Sequence, residues 1–124
     1  MTVHTRSQRL SQAAFAQVHG QYQKLTEKQF KEYLSFAKKF PALVHTCGLA
    51  QAVAFARAKK ETDYVDDLAE VLKNAGHLEI TDGGKLDECA RNLPLNGYLR
   101  LSRNAIEAAS WLKRYAEAVG EDDT

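Results

Sequence analysis

His45 and Cys47, one residue apart, and the more distant His77 and Cys89 are the residue types that hold zinc or act as thiol nucleophiles. A structural zinc site draws closely spaced ligand pairs from two places in a chain. Here one pair exists and the other two residues stand alone. A thiol–imidazole nucleophile needs a third group to orient the base, and no neighbouring residue marks one. Cys47 lies in the apolar stretch 40–60, and free cysteine behaves as a small hydrophobe, so His45 and Cys47 are expected to be packing residues. Gly83-Gly84-Lys85 is followed by Leu86, where a phosphate-binding loop needs Ser or Thr and a longer glycine-rich run. With Asp82 before it, this segment reads as a turn. Asp63, Asp66, Asp67 and Glu70 could gather on one helix, but acidic side chains collect near helix N-termini for electrostatic reasons alone. No catalytic residue, metal or cofactor is expected.

The basic residues carry more. Over residues 1–60, ten Lys and Arg face only Glu27 and Glu32, a charge of +8. Over residues 61–96, three basic residues face nine acidic ones, a charge of −6. The net charge of +1 conceals this division. Such asymmetry points to a polyanionic partner or to head-to-tail assembly of copies. Lys38 and Lys39 precede Pro41, Arg57, Lys59 and Lys60 close a central helix, and Lys113 and Arg114 adjoin Trp111 and Tyr115. Arg6 with Arg9, and Arg100 with Arg103, form pairs three residues apart. Groups of this kind meet phosphates without reading bases, which gives sequence-independent, salt-sensitive binding. These eleven residues are the candidate nucleic-acid contacts.

Helices must position them. Residues 6–22 place Leu10, Ala13, Ala14 and Val18 near one face, with Thr5 able to cap and Gly20 a weak spot near the end. Thr26-x-x-Gln29 has capping-box form and opens a second helix with Phe30, Tyr33, Leu34 and Ala37 inward. Pro41 should kink or restart it. Gly48 should break the chain before a third helix over residues 49–59, whose alanines allow close approach while Leu49, Val53 and Phe55 fill volume. Thr62 or Asp63 is expected to cap a fourth helix to about residue 75, with Val65, Leu68 and Leu72 inward and Asp66, Asp67 and Glu70 near its start. A short helix over 85–92 leads to Leu93-Pro94. The longest helix, over 95–119, is expected to bury Leu95, Leu99, Ile106, Ala109, Leu112 and Ala116, and to end at Gly120 and the acidic tail 121–124.

This pattern predicts one all-α domain over residues 1–124, a compact bundle of about five to six helices with long N- and C-terminal helices. The length suffices for a core without disulfides or metal. No apolar run approaches the roughly 20 residues of a membrane span, and residues 1–12 lack the apolar core of a signal peptide. Two cysteines make no disulfide framework, so a reducing cytoplasm is the expected location.

The run Phe40-Pro41-Ala42-Leu43-Val44, followed by Gly48-Leu49-Ala50-Gln51-Ala52-Val53-Ala54-Phe55, resembles the central signature of a known family. So do Tyr98-Leu99-Arg100-Leu101-Ser102-Arg103 and Trp111-Leu112-Lys113-Arg114-Tyr115-Ala116, with Arg6-Ser7-Gln8, Ala13 and Ala14 at the start. The family is the small α-helical subunit of the Cmr complex, the type III-B CRISPR RNA-guided effector. Residues 61–95 carry no matching motif. The resemblance implies a non-catalytic subunit in antiviral defence, whose copies stack head to tail beside the backbone subunits and the large subunit. Together they line the channel that holds the guide RNA and target RNA. Lys39, Lys113 and Arg114 match basic positions of the motifs and Gln51 a polar one, whereas His45 stands where a basic residue is expected. The other reading is a small DNA-binding regulator with a helix-turn-helix near residues 48–60; its alanine-rich recognition helix offers few groups for base edges.

Overall fold

Two capping boxes start the first two helices. Thr5 and Thr26 each accept the backbone N–H of the glutamine three residues on, at 3.0 and 3.2 Å. Gln8 and Gln29 return the bond through their side-chain oxygens, at 2.8 and 2.9 Å. The computed structural model describes residues 3–121. Helix α1 spans Arg6–Lys24, α2 Glu27–Cys47, α3 Leu49–Ala58, α4 Thr62–Asn74, α5 Gly83–Asn92 and α6 Leu95–Glu121. Among the described residues there is no strand, and the all-α bundle is as expected. The pairing of long helices differs from expectation: α2, at 21 residues, exceeds the 19 of α1 and stands second to the 27 of α6.

Helix α6 packs along both α1 and α2, while α4 joins α1 to α5 and α6. Leu10, Ala14 and Val18 of α1, Phe40 of α2, Leu49 and Val53 of α3, Tyr64 and Leu68 of α4 and Leu112 of α6 are fully enclosed in one core. Aromatic rings fill its centre. Phe36, Phe40 and Tyr64 meet pairwise at centroid separations of 5.1–5.7 Å, in tilted and edge-on arrangements that favour ring contact.

Several local expectations are corrected. Pro41 does not restart the helix, since α2 runs through it. Phe36, Phe40 and Val44 are buried on either side, and their packing outweighs the missing N–H, a loss of about 3 kcal/mol in an unsupported helix. Helix α1 runs on past Gly20 to Lys24, and α6 runs through Gly120 to Glu121; residues 122–124 of the acidic tail fall outside the described residues. Glu61, rather than Thr62 or Asp63, occupies the cap position of α4, with no side-chain bond to the helix. Gly83 and Gly84 open α5, capped by the Asp82 side chain on Lys85 N–H at 2.8 Å. Gly83 is needed there because α5 begins hard against α4: a Cβ would lie 2.7 Å from Asp66 Oδ1 and 2.8 Å from Val65 Cγ1. On α6 the buried apolar residues are Leu101, Ala105, Ala108, Ala109, Leu112 and Ala116, so Ala109, Leu112 and Ala116 lie inward as expected and Ile106 is half-buried, whereas Leu95 and Leu99 are 69% and 48% exposed. Spacing alone could not fix which way the first turn of α6 points. His45 and Cys47 are both exposed, so neither packs as expected.

Gly48 does break the chain, at φ +85°, where a side chain is strained. It leaves α3 without a side-chain cap of its own. The Tyr98 hydroxyl, from α6, supplies what is missing by accepting Ala50 N–H at 3.2 Å. Replacing Tyr98 with Phe removes that acceptor and is expected to cost about 1 kcal/mol in urea denaturation. An unchanged midpoint would show that α3 does not depend on it.

Candidate nucleic-acid interface

Adjacent residues on a helix point about 100° apart, so Lys38 and Lys39 of α2 serve two neighbours. Lys39 turns toward α3. Its Nζ lies 5.3 Å from the Phe36 ring and 5.7 Å from the Phe55 ring. Lys59, just past the end of α3, places its Nζ 5.6 Å from the same Phe55 ring. Lys60 follows at φ +61°, a left-handed conformation uncommon outside glycine, and reverses the chain toward α4. Lys38 precedes Pro41 by three residues and therefore shares its side of α2. There, Pro41 borders a cleft of about 210 Å³ with Ser110, Lys113, Arg114 and Glu117 of α6. Lys59 thus stands beside Lys39, and Lys113 and Arg114 stand beside Pro41 on the other side of α2, whereas Lys60 borders a separate cleft with Glu32, Glu61 and Asp63.

The remaining candidates lie elsewhere. Arg57 is bonded to Asp87 at 2.9 Å, and the same carboxylate oxygen accepts from Arg91 at 3.3 Å. Arg6 is bonded to Glu107 at 3.1 Å. Arg100 and Arg103 sit ten or more residues before Lys113 on α6, roughly 15–20 Å along the axis. With Arg6, Arg100 bears on His77: burial is the chief cause of its lowered proton affinity, Glu79 opposes it, and these two arginines reinforce it. His77 Nε2 is 2.7 Å from Asn104 Nδ2. Arg9 and Arg103 are exposed.

Two features escaped sequence reasoning. Phe55, expected to fill the core, is 37% exposed and stacks on Phe36 with planes 12° apart. The four-residue interval from Phe55 to Lys59 was the available signal, since it puts both on one helix face. Asp67, expected near the wet start of α4, is buried. It accepts from Tyr33 Oη at 2.7 Å and from Gln21 Nε2 at 3.1 and 3.2 Å. The acidic segment is also partly satisfied within the chain, through Asp87 with Arg57 and Arg91, Glu70 with Lys73 and Glu88 with Lys85.

A model of the family described as CRISPR-associated protein (Cas_Cmr5) matches residues 6–119. The chain belongs to the Cmr5 family. It is 42% identical over 94 residues to the CRISPR system Cmr subunit Cmr5 of Thermus thermophilus, covering 73% of this chain and 77% of that one. It is also similar to the crystal structure of a CRISPR-associated Cmr5 family protein from the same organism. The TM-score there is 0.80 at 36% identity, over 93% of this chain and 97% of that one. Membership in the Cmr5 family thus extends across residues 61–95, where no motif was legible. The two motif regions of this Cmr5-family chain also meet in space: Gly48 and Ala50 at Tyr98, and Pro41 at Lys113 and Arg114. Among the described residues, no helix is long and apolar enough to cross a membrane.

Proposed function

We propose that this chain is the non-catalytic small subunit of an RNA-guided type III-B CRISPR effector in the cytoplasm. Its copies stack beside the backbone and large subunits and line the channel for the guide RNA–target RNA duplex. The carrying observation is Lys39 beside Lys59 on one side of α2 and Lys113 and Arg114 beside Pro41 on the other, in a Cmr5-family fold. These positions present ammonium and guanidinium groups to phosphates without base-edge geometry, as a wall for any guide sequence requires. Arg9, Arg100 and Arg103 extend the contacts along α1 and α6, whereas Arg6 and Arg57 join them only by exchanging Glu107 and Asp87 for phosphate. The −6 segment, residues 61–96 on and around α4 and α5, is the complementary end for a neighbouring copy. Three properties should appear together when the chain is co-expressed with the other Cmr subunits and a guide RNA. It should co-purify with them in more than one copy, the complex should hold the guide, and the free chain should bind RNA weakly and lose it steeply with salt. A monomer that ignores both subunits and RNA would exclude this function.

A helix-turn-helix fits poorly. Beyond Gln51, the residues of α3 that reach solvent are Ala54, Phe55, Arg57 and Ala58, and Arg57 is already bonded to Asp87.

A further inference from the structure

The part-exposed ring of Phe55 stacks on Phe36 of the neighbouring helix α2 and also meets two cations. One stacking partner, Phe36, lies at 6.4 Å between centroids. The Lys39 and Lys59 ammonium groups lie 5.7 and 5.6 Å from the ring centre. Alongside runs a cleft of about 330 Å³ lined by Lys28, Lys31, Ser35, Phe36 and Lys39, with Glu32 and Glu61 also on its border. Contacts between lysine and an exposed ring are weak, so both ammonium groups can leave Phe55 for a stronger anion without disturbing the helices.

We infer that Phe55, Lys39 and Lys59 form a subsite for one unpaired nucleotide of RNA, its base stacked on Phe55 and its phosphates held by the two lysines. The inference rests on the RNA-channel reading above and adds a place where that channel holds a base outside the duplex. A protein carboxylate would satisfy the lysines and leave the ring uncovered. A nucleotide carries an anion and a flat π face a short distance apart, matching a ring with two ammonium groups 5.7 and 5.6 Å from its centre. Every base has such a face, so the subsite is indifferent to sequence. Glu32 and Glu61 repel phosphate from their part of the cleft and so favour its Lys39 side, toward Phe55.

The test uses the full chain, an unstructured single-stranded RNA of about 20 nucleotides and the same strand annealed to its complement. Phe55→Leu keeps apolar bulk and removes the π face. It should weaken single-strand binding by about 5- to 150-fold, the range for loss of one base stack, and alter duplex binding less than about twofold. Lys39→Gln with Lys59→Gln should weaken both. Phe55→Trp should retain single-strand binding and add a fluorescence that this RNA quenches, which decides the matter if the leucine variant folds poorly. If Phe55→Leu leaves single-strand binding unchanged, or weakens both RNAs alike, while the lysine variant weakens both, the nucleotide subsite is wrong and the channel reading stands. If wild type binds neither RNA and also fails to join the complex, both fall.

Discussion

With Asp67 replaced by asparagine, the chain is expected to be more stable than wild type at pH 8 and by a clearly smaller margin at pH 5. Asp67 is 4% exposed, and its hydrogen-bond partners, Tyr33 and Gln21, are both neutral. Burial is the largest influence on its proton affinity, and Asp63 and Asp66 add repulsion. Together they outweigh the two hydrogen-bonding side chains and push it from 3.8 up to about 7. At low pH the folded and unfolded chains both hold the proton. Between about pH 4 and pH 7 the unfolded chain releases it while the folded chain keeps it, so stability falls as pH rises. Above about 7 both are ionised and the loss is complete, on the order of 4 kcal/mol for a displacement of this size. This is the reverse of the usual salt-bridged carboxylate. Asparagine can still accept from Tyr33, and its amide can donate to Gln21 Oε1, a buried atom with no hydrogen-bond partner among the described residues. Urea denaturation of both proteins at pH 5 and pH 8 measures the effect. An asparagine variant no more stable than wild type at pH 8 would show that Asp67 is ionised without penalty.

Replacing Lys38, Lys113 and Arg114 together with glutamine should reduce RNA affinity on the order of 100-fold at about 0.1 M salt. Each phosphate contact releases counterions and adds roughly 0.7–0.9 to the slope of log affinity against log salt, so three lost contacts flatten it by about 2–3. All three residues sit on helix surfaces beside Pro41, Lys38 and Arg114 exposed and Lys113 half-buried. Glutamine keeps the helices, and stability should stay within about 0.5 kcal/mol. The readout is the slope rather than affinity at one salt concentration. An unchanged slope with impaired complex formation would assign these residues to a neighbouring subunit instead of RNA.

The helices were legible because their start signals are local. Thr5–Gln8 and Thr26–Gln29 close their bonds within four residues, and Gly48 breaks the chain through its own backbone. The misreadings all depend on what a helix packs against. Asp67 is buried because α1 and α2 bring Gln21 and Tyr33 to it, 46 and 34 residues away in sequence. Leu95 and Leu99 are exposed because the first turn of α6 meets α3 through Tyr98 instead. At the candidate interface, charge runs located the lysines and arginines. Which of them stand together depends on the crossing of α2 with α3 and α6, and Arg57 and Arg6 are occupied by Asp87 and Glu107, acids that no local pattern assigns.

The placement of α6 against α1 and α2 has a consequence for synthesis. On the ribosome, α1 emerges with Leu10, Ala14 and Val18 ready to pack, but its α6 partner lies nearly a hundred residues downstream. At roughly 5–20 residues per second, that face waits on the order of 5–20 s for its cover. The early helices can dock on one another meanwhile, with an apolar strip still open to chaperones or to another nascent copy.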